Sequence, residues 1–125
     1  MPNPFVHIEL NTPDLERAKT FYSHLFQWEL EDMSDPVTPE GAYTFVKVGK
    51  GTGGGMMTQI PNGPSGWLPY VEVDDINVST DKVKSLGGKI MKPVTEIPEM
   101  GWFSIVQDPT GCVLGLWKTA RKSDG

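Results

Sequence analysis

The hydrophobic and polar positions of this chain follow two different periods. In residues 5–10 they alternate one by one, as in a β-strand, so that His7 and Glu9 share one face and the opposite face is wholly apolar. In residues 13–26 apolar side chains recur every three or four positions, as on one side of a helix. We therefore expect the apolar face of the strand to carry this helix, and the face with His7 and Glu9 to border a groove or cavity.

Polar residues mark the ends of this helix. Thr12 is predicted to cap it, Pro13 to take its first position, and Asp14 to complement its positive end. The helix is predicted to end near Phe26-Gln27, where the apolar spacing stops.

The same order of elements then occurs a second time. A shift of 61 residues aligns Asp14 with Asp75 and Leu25 with Leu86 without a gap, and the second helix is expected to end at Gly87-Gly88. The other runs predict strands at 28–33, 43–48, 56–60, 68–73, 89–94, 101–107 and 113–117. The predicted architecture is α+β: βαβββ modules at residues 1–60 and 67–118, a linker at 61–66 and a flexible tail at 119–125. A module of roughly 60 residues would be marginal alone, so we expect one compact domain.

Composition narrows the classes of partner and chemistry. The 16 acidic against 11 basic side chains give a net charge of −5, which argues against a nucleic acid or an anionic membrane as partner. The single cysteine, Cys112, rules out an intrachain disulfide framework and a thiolate metal cluster, and is expected to be a small buried residue. The sequence starts without a basic, apolar leader and has no run long enough to span a membrane, which predicts a cytoplasmic protein.

Four stretches resemble the vicinal oxygen chelate superfamily, which includes glyoxalase I, the bleomycin-resistance proteins and the extradiol dioxygenases. They are FVHIEL, NTPDLERAKTFY, YVEVDDI and DPTGCVLGLW. The resemblance implies two βαβββ modules forming curved mixed sheets around a cleft. The stretches GGGMM and WLPYVEVDD are similar to a glyoxalase-like subgroup whose members mostly lack a firmly assigned reaction.

The metal-dependent members of that superfamily hold their ion with four side chains on the first and last strands of each module. His7 fits one of these positions, but Leu68 and Gly115 stand at two others and have no donor atom. The fourth position falls on Gly55, Met56 or Met57, with Met56 the best match to Gly115, and none of them offers a carboxylate or imidazole. The resemblance therefore implies a protein without a metal ion or other cofactor, because a lone His cannot support isomerase or dioxygenase chemistry.

Candidate site residues fall into a polar and an apolar group. His7 and Glu9 either contact a ligand and move a proton, or form a polar pair that only shapes the site. Tyr70, at the offset of Glu9 in the second module, is the third catalytic candidate and a ligand contact. An apolar lining would come from side chains for which core packing is the alternative role: Phe45, Met56, Met57, Trp102 and Trp117.

The glycine-rich stretch after the third strand matches a dinucleotide-binding pattern in its letters alone. Gly49, Gly51 and Gly54 fit G-x-G-x-x-G, but the phosphate-binding version needs a helix immediately afterwards. Residues 56–60 are short and strand-like and end at Pro61. We therefore predict a hairpin turn here.

Three functions remain open at this point. The first is a metal-independent small-molecule binding protein of the bleomycin-resistance type, with its ligand in the cleft. The second is a glyoxalase-like lyase or isomerase that uses His7 with Glu9 or Tyr70 for proton transfer. The third is an accessory domain with a vestigial cleft. The resemblance also implies a homodimer, since family members pair their modules within one chain or between two chains.

Overall fold

The computed structural model describes residues 2–33, 43–59 and 65–120, and every structural statement below concerns these residues. Their elements follow the order β1 (Phe5–Thr12), α1 (Leu15–Leu25), β2 (Glu29–Asp32), β3 (Thr44–Lys47), β4 (Gly54–Thr58), β5 (Gly66–Glu72), α2 (Ile76–Ser85), β6 (Lys89–Ile97), β7 (Gly101–Gln107) and β8 (Val113–Thr119). This order confirms the predicted α+β architecture of two βαβββ modules. Residues 34–42 between the predicted strands 28–33 and 43–48, most of the linker, and residues 121–125 of the predicted tail lie outside the described residues.

The two modules pair their strands in the same way. In the first module the order across the sheet is β2-β3-β4-β1, with β1 parallel to β4 and the other neighbours antiparallel. In the second module the order is β6-β7-β8-β5, with β5 parallel to β8. Contacts along the chain divide it into two units, with cuts at Val6/His7 and Leu68/Pro69.

Each helix begins directly after an aspartate. Asp14 accepts a hydrogen bond from the Arg17 amide at 3.1 Å, and Asp75 accepts from the amides of Asn77 and Val78, both at 3.1 Å. The prediction that Thr12 caps α1 is therefore wrong. Thr12 ends β1 instead, and its hydroxyl accepts a hydrogen bond from the Asp14 amide, which leaves the helix amides to Asp14.

One face of each sheet packs against its helix. In the first module Leu10, Val46 and Met56 form the core, and Leu15, Ala18 and Tyr22 of α1 cover it. The apolar face of β1 thus carries α1, as the alternation predicted. In the second module the corresponding core consists of Val73, Ile76, Val106 and Leu116. The opposite face of each sheet does not pack against a helix of its own module. In the first module, His7 and Glu9 lie on this face.

Several predicted boundaries need correction. β1 and β6 continue to Thr12 and Ile97, beyond the predicted ends at residues 10 and 94. β4 begins at Gly54 and not at Met56, because the glycines themselves pair with β1, Gly54 opposite Ile8. β5 begins at Gly66, which was assigned to the linker. β8 continues to Thr119, where a flexible tail was expected, because Thr119 pairs with Gly101 of β7. Neither helix in the described part of the chain is long and apolar enough to cross a membrane.

Candidate functional site

Three polar side chains of the first module meet on the sheet face opposite α1. His7 Nε2 lies 2.6 Å from the Tyr43 hydroxyl, and that hydroxyl donates a hydrogen bond of 2.9 Å to Glu9 Oε2. β1 supplies His7 and Glu9, two residues apart and therefore on one face, and Tyr43 directly precedes β3. We call this arrangement the His7–Tyr43–Glu9 chain.

Two members of the His7–Tyr43–Glu9 chain are shielded from water, and His7 is half-buried. Tyr43 is 5% exposed and Glu9 is 9% exposed. Burial lowers the pKa of His7, so the neutral imidazole is favoured around neutral pH. Asn11, two residues further along β1, donates a longer hydrogen bond of 3.4 Å to the other carboxylate oxygen of Glu9. Both oxygens of Glu9 thus face hydrogen-bond donors.

Gly55 makes room for the Tyr43 ring. Gly55 pairs with Glu9 on one side and with Phe45 on the other. A Cβ atom on Gly55 would overlap the ring and hydroxyl of Tyr43, so a larger residue cannot stand there unless Tyr43 moves. Phe45 closes the arrangement with an edge-to-face contact to Tyr43, with ring centroids 5.3 Å apart.

The second module repeats this feature without the histidine. Tyr70 pairs with Gly115, and a Cβ atom on Gly115 would overlap the Tyr70 ring. Phe103 contacts Tyr70 edge to face, with ring centroids 6.3 Å apart. In both modules a buried tyrosine ring therefore lies over a glycine of the last strand.

The other predicted lining residues lie on two different faces. Met57 pairs with Asn11, so it belongs to the face of the His7–Tyr43–Glu9 chain, together with Phe45. Met56 is fully buried in the core beneath α1, and Trp102 packs against the core beneath α2. Trp117 donates from Nε1 to the Thr119 hydroxyl at 2.9 Å. For Met56 and Trp102 these positions favour the alternative role, core packing.

The pairing of strands corrects the register of the implied metal position. Glu9 faces Gly55 as Tyr70 faces Gly115, so Gly55, and not Met56, corresponds to Gly115. Both last-strand positions are therefore glycines covered by tyrosine rings, and His7 Nε2 is already bonded to Tyr43. Among the described residues no three His, Cys, Asp or Glu side chains come together as metal ligands. The residues at the family position thus do not fit a metal ion.

Sequence reasoning missed Tyr43. The alternation of β3 places it on the same side as Phe45, which was a candidate, but nothing in the alternation indicates which residue of β1 it meets. The glycine at position 55 was the available signal, because a glycine in a strand often marks the close approach of another group.

Two further predictions concern single residues outside this site. The glycine-rich stretch forms a turn with positive φ at Gly49 and Gly51, and strand β4 follows it, which confirms the predicted hairpin. Cys112 is exposed, so the prediction of a small buried residue is wrong. Its amide donates to Asp108 Oδ1 at 3.1 Å in the turn before β8, which keeps it at the surface.

Comparison with known proteins agrees with this geometry. The model of the Glyoxalase/Bleomycin resistance protein/Dioxygenase superfamily matches residues 5–116. The chain belongs to this superfamily. The resemblance predicted from the four sequence stretches is thereby confirmed.

Individual relatives have low sequence identity with this chain. The putative glyoxylase CFP32 of Mycobacterium tuberculosis is 34% identical over 118 residues, which are 91% of this chain and 45% of the relative. The anthracycline biosynthesis protein DnrV of Streptomyces peucetius is 28% identical over 125 residues, 88% of this chain and 45% of the relative. This chain thus spans less than half the length of either relative. The crystal structure of methylmalonyl-CoA epimerase from Mycobacterium tuberculosis is similar in fold, with a TM-score of 0.69, 15% identity, and 94% of this chain and 88% of that chain covered.

Proposed function

We propose that this protein binds a small molecule, as bleomycin-resistance proteins of the superfamily do, and that it needs no metal ion. The observation that carries the proposal is the His7–Tyr43–Glu9 chain, a buried polar group beside the apolar side chains of Phe45 and Met57. Sites for small organic ligands combine apolar and aromatic lining with a few placed polar groups. Membership of the superfamily supports this function, and the relative DnrV, by its name, points to polycyclic aromatic ligands.

Thermal denaturation in the presence of aromatic compounds tests the binding function. A ligand of the folded state raises the melting temperature in proportion to the logarithm of its concentration above Kd. We expect polycyclic aromatic compounds with hydroxyl groups to raise the melting temperature of the wild-type protein and to do so less in the His7→Ala variant. A panel that leaves the wild-type melting temperature unchanged would contradict binding. A shift that disappears when a chelator is added would contradict metal independence.

Proton transfer is the second candidate, as in a lyase or isomerase. The observation that favours it is a buried imidazole with a lowered pKa, linked through one hydroxyl to a carboxylate. His7 is the residue proposed to accept the proton, with Glu9 of the same unit as its partner. Exchange of an acidic C–H proton of a carbonyl compound with deuterated water measures this reaction. Exchange at the wild-type rate in both the His7→Ala and Glu9→Gln variants would contradict proton transfer by these residues.

A further inference from the structure

The direction of the hydrogen bonds around Tyr43 determines where the His7 proton lies. A tyrosine hydroxyl has one proton to donate, and Tyr43 donates it to Glu9 Oε2 at 2.9 Å. With Glu9 as the acceptor of that proton, the imidazole is the donor in the contact of 2.6 Å between His7 Nε2 and the Tyr43 hydroxyl. A neutral imidazole has one N–H, so this bond places it on Nε2 and leaves the lone pair on Nδ1.

Tyr43 is held too firmly to reverse this arrangement by moving away. Its ring lies in the space that a side chain at Gly55 would fill, and Phe45 contacts it edge to face. Glu9 accepts from Tyr43 on one oxygen and from Asn11, at 3.4 Å, on the other, so donors face both of its oxygens. With Glu9 as the acceptor at one end, His7 is therefore the donor at the other end.

We propose that Tyr43, lying over Gly55, is a positioning residue that holds His7 as the Nε2–H tautomer and makes Nδ1 its acceptor and basic atom. A ligand that contacts His7 is then one that donates to it: a hydroxyl, an N–H or an acidic C–H. This statement about the ligand class rests on the proposed binding function, whereas the tautomer is a property of the ligand-free protein.

A reversed order of protons is the competing arrangement. If Glu9 carried a proton and donated it to Tyr43, Tyr43 would donate to His7 Nε2, and the imidazole proton would sit on Nδ1. The two arrangements place the same heavy atoms at the same distances and differ only in which ring nitrogen is protonated. Nitrogen NMR of the imidazole distinguishes them directly.

The experiment is a ¹H–¹⁵N spectrum of the two histidine rings in the ligand-free protein at a pH where both are neutral. His24 serves as an internal reference, because its Nδ1 donates to the Thr20 carbonyl at 2.7 Å, and a His24→Gln variant assigns the signals. We expect His7 in the wild-type protein to show Nε2–H. In Tyr43→Phe the ring still covers Gly55 but the acceptor is gone, so His7 should become a mixture of tautomers. The matched control Tyr22→Phe removes a hydroxyl on the other face of the same sheet and should leave His7 unchanged.

Each result decides the proposal. Nδ1–H in the wild-type protein would overturn it, and this measurement needs no variant to fold. An unchanged Nε2–H signal in a folded Tyr43→Phe variant would overturn the role of Tyr43.

The ligand class is tested separately with 2-naphthol and its methyl ether. 2-Naphthol should shift the His7 Nδ1 signal and 2-methoxynaphthalene should not. Equal or absent shifts would overturn the ligand class while leaving the tautomer standing. Stabilisation of the protein by other compounds without a shift at Nδ1 would place binding away from His7.

Discussion

Gly55 and Gly115 each show how a single glycine makes room for a buried tyrosine ring within its own module. Each lies on the last strand of its module, and each is covered by a buried tyrosine, Tyr43 and Tyr70 respectively. A residue with a side chain at either position would occupy the space of the ring. The absence of a side chain on the last strand is thus what leaves room for the aromatic ring.

Substitution of Gly55 measures how much the stability of the fold depends on this space for the Tyr43 ring. Gly55→Ala should lower the free energy of unfolding by about 1–3 kcal/mol, as overpacking of a filled interior does. The cost should shrink in a Tyr43→Ala background, because the atoms that the new Cβ meets belong to the Tyr43 ring. Urea denaturation of the two single variants and the double variant gives the coupling energy. Equal costs of Gly55→Ala in both backgrounds would show that another contact is responsible.

Burial of His7 predicts a specific pH dependence of stability. Because burial lowers its pKa in the folded protein, the unfolded chain binds a proton near pH 6.5 that the folded protein does not. The unfolding free energy should therefore be fully present above about pH 6.5 and fall as the pH drops towards the folded-state pKa of His7. Urea denaturation across this window should show a smaller slope in His7→Gln. A wild-type slope in His7→Gln would contradict this origin.

Alternation was enough to predict part of the site. His7 and Glu9 stand two apart on a strand with an apolar opposite face, so their common orientation follows from the period of a strand alone. Tyr43 could not be predicted in the same way, because its contact depends on the register between three strands. That register is set by the close approach of Gly54 to Ile8 and by the space at Gly55, which no periodicity encodes.

At the scale of elements, both helices begin in the same way, and the repeat made this partly predictable. Asp14 and Asp75 align under the 61-residue shift and both cap a helix. The error was to give the cap of α1 to Thr12, a good capping residue by type. Thr12 pairs with Thr58 across the sheet, so the length of β1 decides which residue starts the helix. Sheet pairing, and not local propensity, therefore makes Asp14 the cap of this helix.

Two substitutions of Asp75 test how much the cap of α2 contributes to stability. Asp75→Ala removes the acceptor of two amide hydrogen bonds and should lower the unfolding free energy by about 1 kcal/mol. Asp75→Asn keeps a side-chain oxygen at the same position and should cost clearly less. Urea denaturation of both variants provides the comparison. An Asn variant as unstable as the Ala variant would mean that charge, and not hydrogen bonding, stabilises this helix end.

At the scale of the whole molecule, the unit His7–Leu68 carries an aromatic surface that nothing in the described part of the chain covers. It consists of the exposed Phe21, Leu25, Phe26 and Trp67, 58, 56, 44 and 42% exposed, around Tyr22 and Trp28. Contiguous apolar surface of this kind commonly marks a protein interface. We propose a second copy of this chain as the partner that covers this surface.

The predicted homodimer therefore has a definite surface to test. Sedimentation of the wild-type protein should give a species of about twice the 13.8 kDa of one chain. Leu25→Ser combined with Phe21→Ser should shift it to the monomer, because both changes place a hydroxyl in the apolar interface. Leu86→Ser is the matched control: it occupies the equivalent position after α2 and is 66% exposed, but lies outside the aromatic surface. Dissociation by Leu86→Ser alone would indicate that the interface lies on the second module. A monomeric wild-type protein would contradict the homodimer itself.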